Sequence, residues 1–483
     1  METAARTPGS RKIVIDPVTR VEGHGKVTIR LDEAGQVEQA RFHIVEFRGF
    51  ERFIRGRFYW EAPVVIQRLC GICPVSHHLC GAKAMDMVVG VDRLTSTAEK
   101  MRRLMHYGQI LQSHALHFYY LAAPDLLFGF DAPAMKRNIV GIAREYPDIA
   151  RRAILIRKYG QEVIQATGGK KIHATSALPG GFNQNLSIEH RDSLRKDIDQ
   201  IIGWSMESLE LSKRIARADW KRHTEFGSFP SNYLSIVRSD GAMDPYDGVL
   251  RAVDAEGKTI FDSVTPAQYR DYLIEEVRPW SYMKFPHIRS LGKERGWYRV
   301  GPLAQINCCD FIDTPLAEEE RQAFFAAGWG RPVHSTLAYH WARMICMVHC
   351  AEKIKQLLHD DDLQGTDLMA TGQRRTEGVA WIEAPRGTLF HHYTVDEHDQ
   401  ITSANLIVST TSNNEAMNRS VRKVAVDYLS GQEVTEGLLN HIEVAIRAYD
   451  PCLSCATHAI GQMALIVSLE NHDGTEIARR TRS

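Results

Sequence analysis

Two short stretches near opposite ends of a 483-residue chain carry residue types that bind metals. "QRLCGICPVSHH" (67–78) places Cys70 and Cys73 two residues apart, with His77 close behind. "YDPCLSCATHA" (449–459) repeats the arrangement with Cys452, Cys455 and His458. A thiolate is a soft donor, and four at one point suit zinc, an iron–sulfur cluster or a softer transition metal. Structural zinc is the default for paired CxxC motifs, but it staples small modules with short spacing. These pairs lie almost a chain length apart in a protein large enough to need no staple. Zinc also has no need of the neighbours Arg68, Gly71, Asp450 and Pro451. The other five cysteines, Cys80, Cys308, Cys309, Cys346 and Cys350, lack paired ligand spacing and read as small buried hydrophobes.

Folding must bring the two pairs together. The chain opens with β-prone runs, "RKIVID", "KVTIRLD" and "ARFHIVEF", the last two joined by a "DEAG" turn. Long helices follow. Ser96 and Glu99 form a capping-box pattern, and apolar residues then recur at helical spacing until Pro124. Further helices are expected over 192–220, 337–360 and 437–449, the last halted by Asp450-Pro451. Residues 247–264 read as a hairpin, and "GVAWIEAPRGTLFHHYTVD" with "ITSANLIVST" as a small sheet. The fold class is therefore α+β and predominantly α-helical, a long-helix core with small peripheral sheets in one compact unit.

Bulk properties narrow the function. Lys plus Arg and Asp plus Glu each total 59, so nothing suggests nucleic acid or an anionic membrane surface. The longest apolar stretches, such as "ALIVSL", fall far short of a membrane span of about 20 residues. The N-terminus shows no secretory h-region, which points to the cytoplasm, and nine cysteines are too few for a disulfide scaffold. No G-x-G-x-x-G opens a βαβ unit, and "LPGGFNQN" has the wrong glycine spacing, so a dinucleotide is expected to bind elsewhere.

"RLCGICPVSH" (68–77) and "DPCLSCATH" (450–458) strongly resemble the two nickel-binding signatures of the [NiFe]-hydrogenase large subunit. "DPVTRVEGH", "EFRGFE", "RVGPLA" and "EAPRGTLFHH" add to the resemblance, which runs over essentially the whole chain. "VEFRGFE", "SHHLCGAKA", "EKMRRL" and "WSYMKFP" look most like the cytoplasmic, bidirectional, NAD-linked group. The resemblance implies reversible heterolytic cleavage of H2 at a nickel–iron centre whose iron carries CO and CN ligands. It implies Cys70 and Cys452 as terminal nickel thiolates and Cys73 and Cys455 as bridging ones. His77 matches a histidine donating to a bridging sulfur, and Arg386 an arginine over the metals that contacts one cyanide. Glu22 matches the proton-relay glutamate beside Cys452, and Asp125 and Asp450 match two aspartates that brace the arginine. Thr410 matches the hydroxyl that bonds the other cyanide, although Ser409 stands where the family often has proline. Gln305 replaces an arginine common after "GPL". Glu51 and His458 match ligands of a structural magnesium.

Without the resemblance, His77 reads as a satisfied buried histidine, Glu22 and Arg386 as solvated charges, and Asp450 as a helix-terminating residue. The resemblance further implies two partners that couple the site to NAD(P): an iron–sulfur small subunit, and a diaphorase module carrying flavin and iron–sulfur clusters. It also implies a maturation endopeptidase that cuts after His458, leaving residues 1–458 as the mature domain and removing 459–483. That tail otherwise reads as a strand, a turn at "HDG" and a basic end. Competing expectations keep the metal site with another acceptor, F420 or a quinone, or turn it to hydrogen sensing. A catalytically silent relative, like the quinone-pocket subunit of respiratory complex I, would lack the four thiolates.

Overall fold

The computed structural model describes residues 11–457 and the strands Leu465–Glu470 and Glu476–Arg482. The chain begins with a three-stranded antiparallel meander, β1 (Arg11–Ile15), β2 (Gly25–Leu31) and β3 (Val37–Ile44). Alternation in β2 turns Val27, Ile29 and Leu31 inward, as the period of two requires. Residues 16–24, between β1 and β2, leave the sheet and reach the far end of the chain.

Helix α1 (Pro74–Val88) starts immediately after Cys73, with Pro74 in the first turn where a missing N–H costs nothing. It is buried nearly all round and leaves Cys70 and Cys73 at its N-terminal end. Helix α2 (Ser96–Leu116) packs on α3 (Pro147–Gly168), and α4 (Ile188–Ala218) packs on α5 (Ala338–Leu358), which also touches α2. Helices α6 (Asn414–Leu429) and α7 (Glu436–Ala448) complete the bundle.

Two helix boundaries differ from the sequence reading. The N-cap of α2 is Thr95, one residue before the expected Ser96, because Thr95 has extended backbone and its Oγ1 accepts from Ala98 N at 3.3 Å. Nor does Pro124 end the helical run. A wide π turn, His117–Ala122, intervenes, and Pro124 falls in the first turn of a new segment, Ala123–Phe128, that carries Asp125.

Strands β4 (Asn232–Val237), β5 (Val249–Val253) and β6 (Thr259–Val264) form a sheet in which β5 and β6 are the expected hairpin. The last internal sheet comprises β7 (Glu377–Ala384), β8 (Gly387–Val395) and β9 (Ile401–Ile407), again antiparallel. Its β7–β8 register pairs Ala384 with Gly387, so Pro385 and Arg386 form a two-residue turn. That turn is buried, which places a guanidinium in the interior. The C-terminal strands Leu465–Glu470 and Glu476–Arg482 pair antiparallel, in line with the strand expected at "ALIVSLE", whereas the "HDG" turn lies outside the described residues.

One large hydrophobic cluster spans the helices and β2–β3, and all four CxxC cysteines belong to it. Gly387 fixes the turn that delivers Arg386. Its φ is +129°, and a Cβ there would stand 2.4 Å from Val300 Cγ2 and 2.5 Å from Gly301 N. Replacing Gly387 by Ala should lower stability by about 2 kcal/mol or more, read as a reduced denaturant midpoint. An unchanged midpoint would show that the turn relaxes freely.

Candidate metal centre

The four sulfurs meet. Cys70 follows the short turn Gln67–Leu69, Cys73 precedes α1, and Cys452 and Cys455 are held by a single turn, Leu453–Ala456, after Pro451. Sγ separations are 3.0 Å for Cys70–Cys73, 2.8 Å for Cys452–Cys455, 3.4 Å for Cys70–Cys452 and 3.9 Å for Cys73–Cys455. All four atoms lie within 4.8 Å of one another and are buried. Each separation exceeds the roughly 2.05 Å of a disulfide, so these are distinct thiol ligands around one point. Backbone N–H groups of Ile72 and Cys73 point at Cys70 Sγ from 3.2 and 3.1 Å. Hydrogen bonds from the sulfurs of Cys452, Cys455 and Cys70, with His77 adding, hold the Cys73 thiol well below its ordinary value. Burial pushes Cys452 and Cys455 the other way. Four buried sulfurs converging on one point form a donor set suited to a soft metal ion, which would hold them as thiolates.

Arg386 hangs beside this cluster. Its Nε donates to the Asp450 carbonyl at 2.6 Å and Nη2 to Asp450 Oδ1 at 3.0 Å. Burial disfavours the guanidinium, but Asp450 and the cysteines Cys452, Cys73 and Cys70 outweigh it and keep Arg386 firmly protonated. Burial lifts Asp450 to about 6 against the pull of Arg386 and Arg343. With one guanidinium fork on its carboxylate and its own carbonyl, the pair is ionised at neutral pH. Arg386 Nη1 and Asp450 Oδ2 are buried without a hydrogen-bond partner among the described residues. A donor and an acceptor so exposed to an apolar site are what a small polar ligand of a metal would satisfy.

Glu22 is half-buried, and its Oε2 stands 3.0 Å from Cys452 Sγ. The same oxygen accepts from Ser454 N at 3.1 Å, and the Ser454 hydroxyl bonds Oε1. The Glu22 carbonyl accepts from Leu453 N at 2.9 Å, so residues 22 and 452 form a parallel bridge. Thr410 Oγ1 accepts from Cys452 N at 3.0 Å, which leaves its hydroxyl hydrogen for another partner. Next to it, Ser409 Oγ donates to the Gly387 carbonyl at 2.6 Å, a bond that proline could not make. His77 is buried on the first turn of α1 beside Cys73.

One expected role is corrected. Asp125 does not brace Arg386, whose Nε and Nη2 both go to Asp450 while Nη1 has no partner among the described residues. Asp125 instead binds Arg20 Nη2 at 2.5 Å and Arg447 Nη1 at 2.9 Å, with Arg137 and Asn440 behind. The π turn and the new segment beginning at Ala123 aim it at the loop after β1. Glu51 Oε1 accepts from Leu406 N at 2.8 Å, with Lys284 Nζ 3.8 Å away. His458 lies outside the described residues.

Several residues at the site escape a sequence reading. Arg20 and Arg447 look like surface charges in linear order, and Ser454 fills a variable position of a CxxC. His391 and Tyr393 sit on β8, where nearly every residue is buried and alternation carries no signal. Gln305 Nε2 lies 3.5 Å from Glu383 Oε2, and burial lifts that carboxyl to about 7. The five unassigned cysteines are buried and form no disulfide, as expected.

Comparison with known proteins agrees with this geometry. Residues 12–47 match a family described as HoxL-like, and residues 48–135 and 242–458 match the nickel-dependent hydrogenases. The chain belongs to the nickel-dependent hydrogenase family. It is 49% identical to the NAD-reducing hydrogenase HoxS subunit beta of Cupriavidus necator, with 98% of this chain and 100% of that one covered. It is 42% identical to a vhc F420-non-reducing hydrogenase subunit of Methanococcus voltae, covering 97% and 99%. A crystal structure of an NAD+-reducing [NiFe]-hydrogenase in the H2-reduced state superposes with a TM-score of 0.92 at 57% identity, covering 93% of this chain and 99% of that one. The [NiFeSe] hydrogenase of Desulfovibrio vulgaris Hildenborough, at 22% identity and TM-score 0.76, covers 93% of this chain and 99% of that one and shares the fold.

Asp125 generates a prediction. Burial alone would raise its pKa, but the charges of Arg447 and Arg20 hold it below the ordinary carboxylate value. Its stabilising effect is therefore complete above the unfolded value of about 3.9 and is lost as pH falls through the folded one. Asp125→Asn should cost about 3–5 kcal/mol at neutral pH by stranding buried guanidinium charge. Urea unfolding across the acid limb should show the gap to the parent closing as pH drops, and a constant gap would refute the account.

Proposed function

We propose that this chain is the catalytic large subunit of an NAD-linked [NiFe]-hydrogenase, carrying out reversible heterolytic cleavage of H2. The observation that carries the reading is the convergence of Cys70, Cys73, Cys452 and Cys455 at one buried point, beside an Arg386 nitrogen with no partner among the described residues. These four thiols fit a nickel–iron group, which Cys70, Cys73, Cys452 and Cys455 would hold together. When bound, that group supplies a redox-active Lewis-acid site able to polarise H2 and take up its electrons.

The chain's own residues handle protons and ligands. Glu22, 3.0 Å from Cys452 Sγ, accepts a proton at Oε2 and passes it outward, with Ser454 holding the carboxylate in place. Arg386, fixed by Asp450, keeps Nη1 free of protein partners among the described residues, and Thr410 keeps its hydroxyl hydrogen; these two donors would hold the polar ligands of the group. The apolar cluster around the cysteines keeps bulk water from the site. Asp450 is a positioning group for Arg386, and Asp125 for the segment behind it.

Two electrons and two protons leave per H2. Among the described residues no second group of metal ligands could carry the electrons away. An iron–sulfur small subunit, followed by a flavin-bearing diaphorase module, therefore completes the route to NAD(P). The similarity of both the NAD-reducing relative and the NAD+-reducing structure favours NAD over F420, a quinone or a sensing role. A cytoplasmic complex fits, and among the described residues no helix is long and apolar enough to cross a membrane. Glu51 and His458 are assigned to a magnesium ion, for which a hard carboxylate oxygen is suited. We also assign residues 459–483 to an extension that an endopeptidase removes. The nickel-dependent hydrogenase match ending at residue 458 supports this.

Metal analysis of the purified complex should find nickel and iron, with infrared bands for CO and CN. Zinc without those bands would sink the reading. Glu22→Gln should retain the bands yet lower H2 oxidation and H/D exchange by about a hundredfold or more, because an amide cannot cycle a proton. Unchanged exchange would remove Glu22 from the relay. Arg386→Lys should also lose activity, since an ammonium cannot bond Asp450 twice and still face the metals. Intact-mass measurement should find the active subunit ending at His458; full activity with Ala459 to Ser483 attached would overturn the processing assignment.

A further inference from the structure

His77 has a polar partner on the strand side of its ring. Its Nδ1 lies 3.2 Å from Nε2 of His391, and Nδ1 of His391 lies 2.9 Å from the Tyr393 hydroxyl. All three side chains are buried. His77 stands on the first turn of α1, while His391 and Tyr393 are two residues apart on β8 and so share one face of the strand. Helix and strand thus build a file of polar groups, Tyr393–His391–His77, whose inner end stands one helical turn from Cys73.

Protons in such a file cannot be placed independently. A neutral imidazole has one N–H and one bare nitrogen. Burial, with the nearby His77 adding, holds His391 far below its usual pKa, so it stays neutral. Burial likewise keeps Tyr393 a phenol. A metal-bound thiolate has no hydrogen to give, so His77 must offer it an N–H, and with Nδ1 engaged by His391 that group is Nε2–H. His77 Nδ1 is then an acceptor, His391 must donate from Nε2, and its Nδ1 must accept from Tyr393. With a protonated sulfur every bond in the file could run the other way.

We propose that His391 and Tyr393 are positioning residues of the metal centre: donation from the Tyr393 hydroxyl to His391, and from His391 to His77, locks the His77 tautomer that donates from Nε2 to Cys73 Sγ. The inference rests on reading the site as a nickel–iron centre. A donor on a metal-bound sulfur withdraws electron density from it. Removing that donor makes the sulfur a stronger ligand, which lowers the reduction potential of the centre and weakens its CO bond. Tyr393→Phe strands His391 Nδ1 whichever tautomer it adopts, and so releases the lock.

The test uses infrared spectroscopy and redox titration of the purified complex. Tyr393→Phe should move the CO band to lower wavenumber and lower the midpoint potential, and His77→Leu should move both at least as far. Because Tyr393 acts through His77, adding Tyr393→Phe to His77→Leu should produce no further shift. A CO band unmoved by Tyr393→Phe, or an undiminished shift in the His77→Leu background, overturns the proposal. Neutron diffraction of the wild-type complex decides the matter even if the variants load no metal. Deuterons on Nε2 of both His77 and His391 support the proposal, and a deuteron on His77 Nδ1 overturns it. If the wild type itself lacks CO and CN bands, the nickel–iron reading fails; bands that ignore Tyr393 discard only the positioning role.

Discussion

The grip of the loop after β1 on the last helix and the segment beyond it is the interaction on which the rest of the structure depends. Thr19 N donates to Glu443, and Arg447 donates back to the Thr19 carbonyl and hydroxyl. Glu22 takes the backbone N–H groups of Leu453 and Ser454, one on its carbonyl and one on its carboxylate. A Cβ on Gly23 would stand 2.7 Å from Ser454 N, so the two backbones touch where a side chain would separate them. Without this clamp, Cys452 and Cys455 have no reason to face Cys70 and Cys73. Most of the clamp is backbone geometry and buried charge rather than apolar area, and it is sensitive to single atoms.

Charge in the interior is managed by pairing. Arg447 answers both Asp125 and Glu443, Arg102 forks onto Asp86, and Arg386 forks onto Asp450. Each leaves few polar atoms unsatisfied, as a low-dielectric core demands. Arg386 is the member with a donor left without a partner among the described residues. Asp450 contributes a left-handed backbone, φ +55°, tolerated by a short carboxylate side chain. That turn lets one residue end the helical path, accept the arginine and aim the next cysteine pair inward. Helix termination and bracing, which a sequence reading treats as alternatives, are here the same act.

Much of this is legible in the sequence, and the failures have physical causes. The first strands and the helices Ser96–Leu116, Ile188–Ala218, Ala338–Leu358 and Glu436–Ala448 follow from apolar periodicity, with errors of a residue or a turn. Helices Pro74–Val88, Pro147–Gly168 and Asn414–Leu429 have no counterpart in the sequence reading. The Thr95 cap is hidden because Thr-Ser-Thr offers three capping hydroxyls and only backbone conformation selects one. Pro124 reads as a stop because the widened π turn that absorbs its missing N–H has no sequence signature. At the site, the four cysteines announce themselves by spacing alone. Glu22 and Arg386 do not, since their burial comes from a loop contact and a buried hairpin turn. Asp125 goes to a different arginine from the expected one because linear order says nothing of which of several guanidinium groups the fold delivers. His391 and Tyr393 are invisible within a strand apolar enough to hide its polar members.

The separation of the two cysteine pairs also has a bearing on timing. Cys70 and Cys452 lie 3.4 Å apart, sulfur to sulfur, across a sequence separation of 382. Synthesis runs from the N-terminus, and early segments fold as they emerge. The pocket around α1 therefore waits, half lined, until Cys452 and Cys455 are made, 382 residues after Cys70 and Cys73. Until then the nascent protein must keep a reduced dithiol, Cys70 and Cys73, sheltered. No chain shorter than one reaching Cys455 can assemble the four-sulfur set.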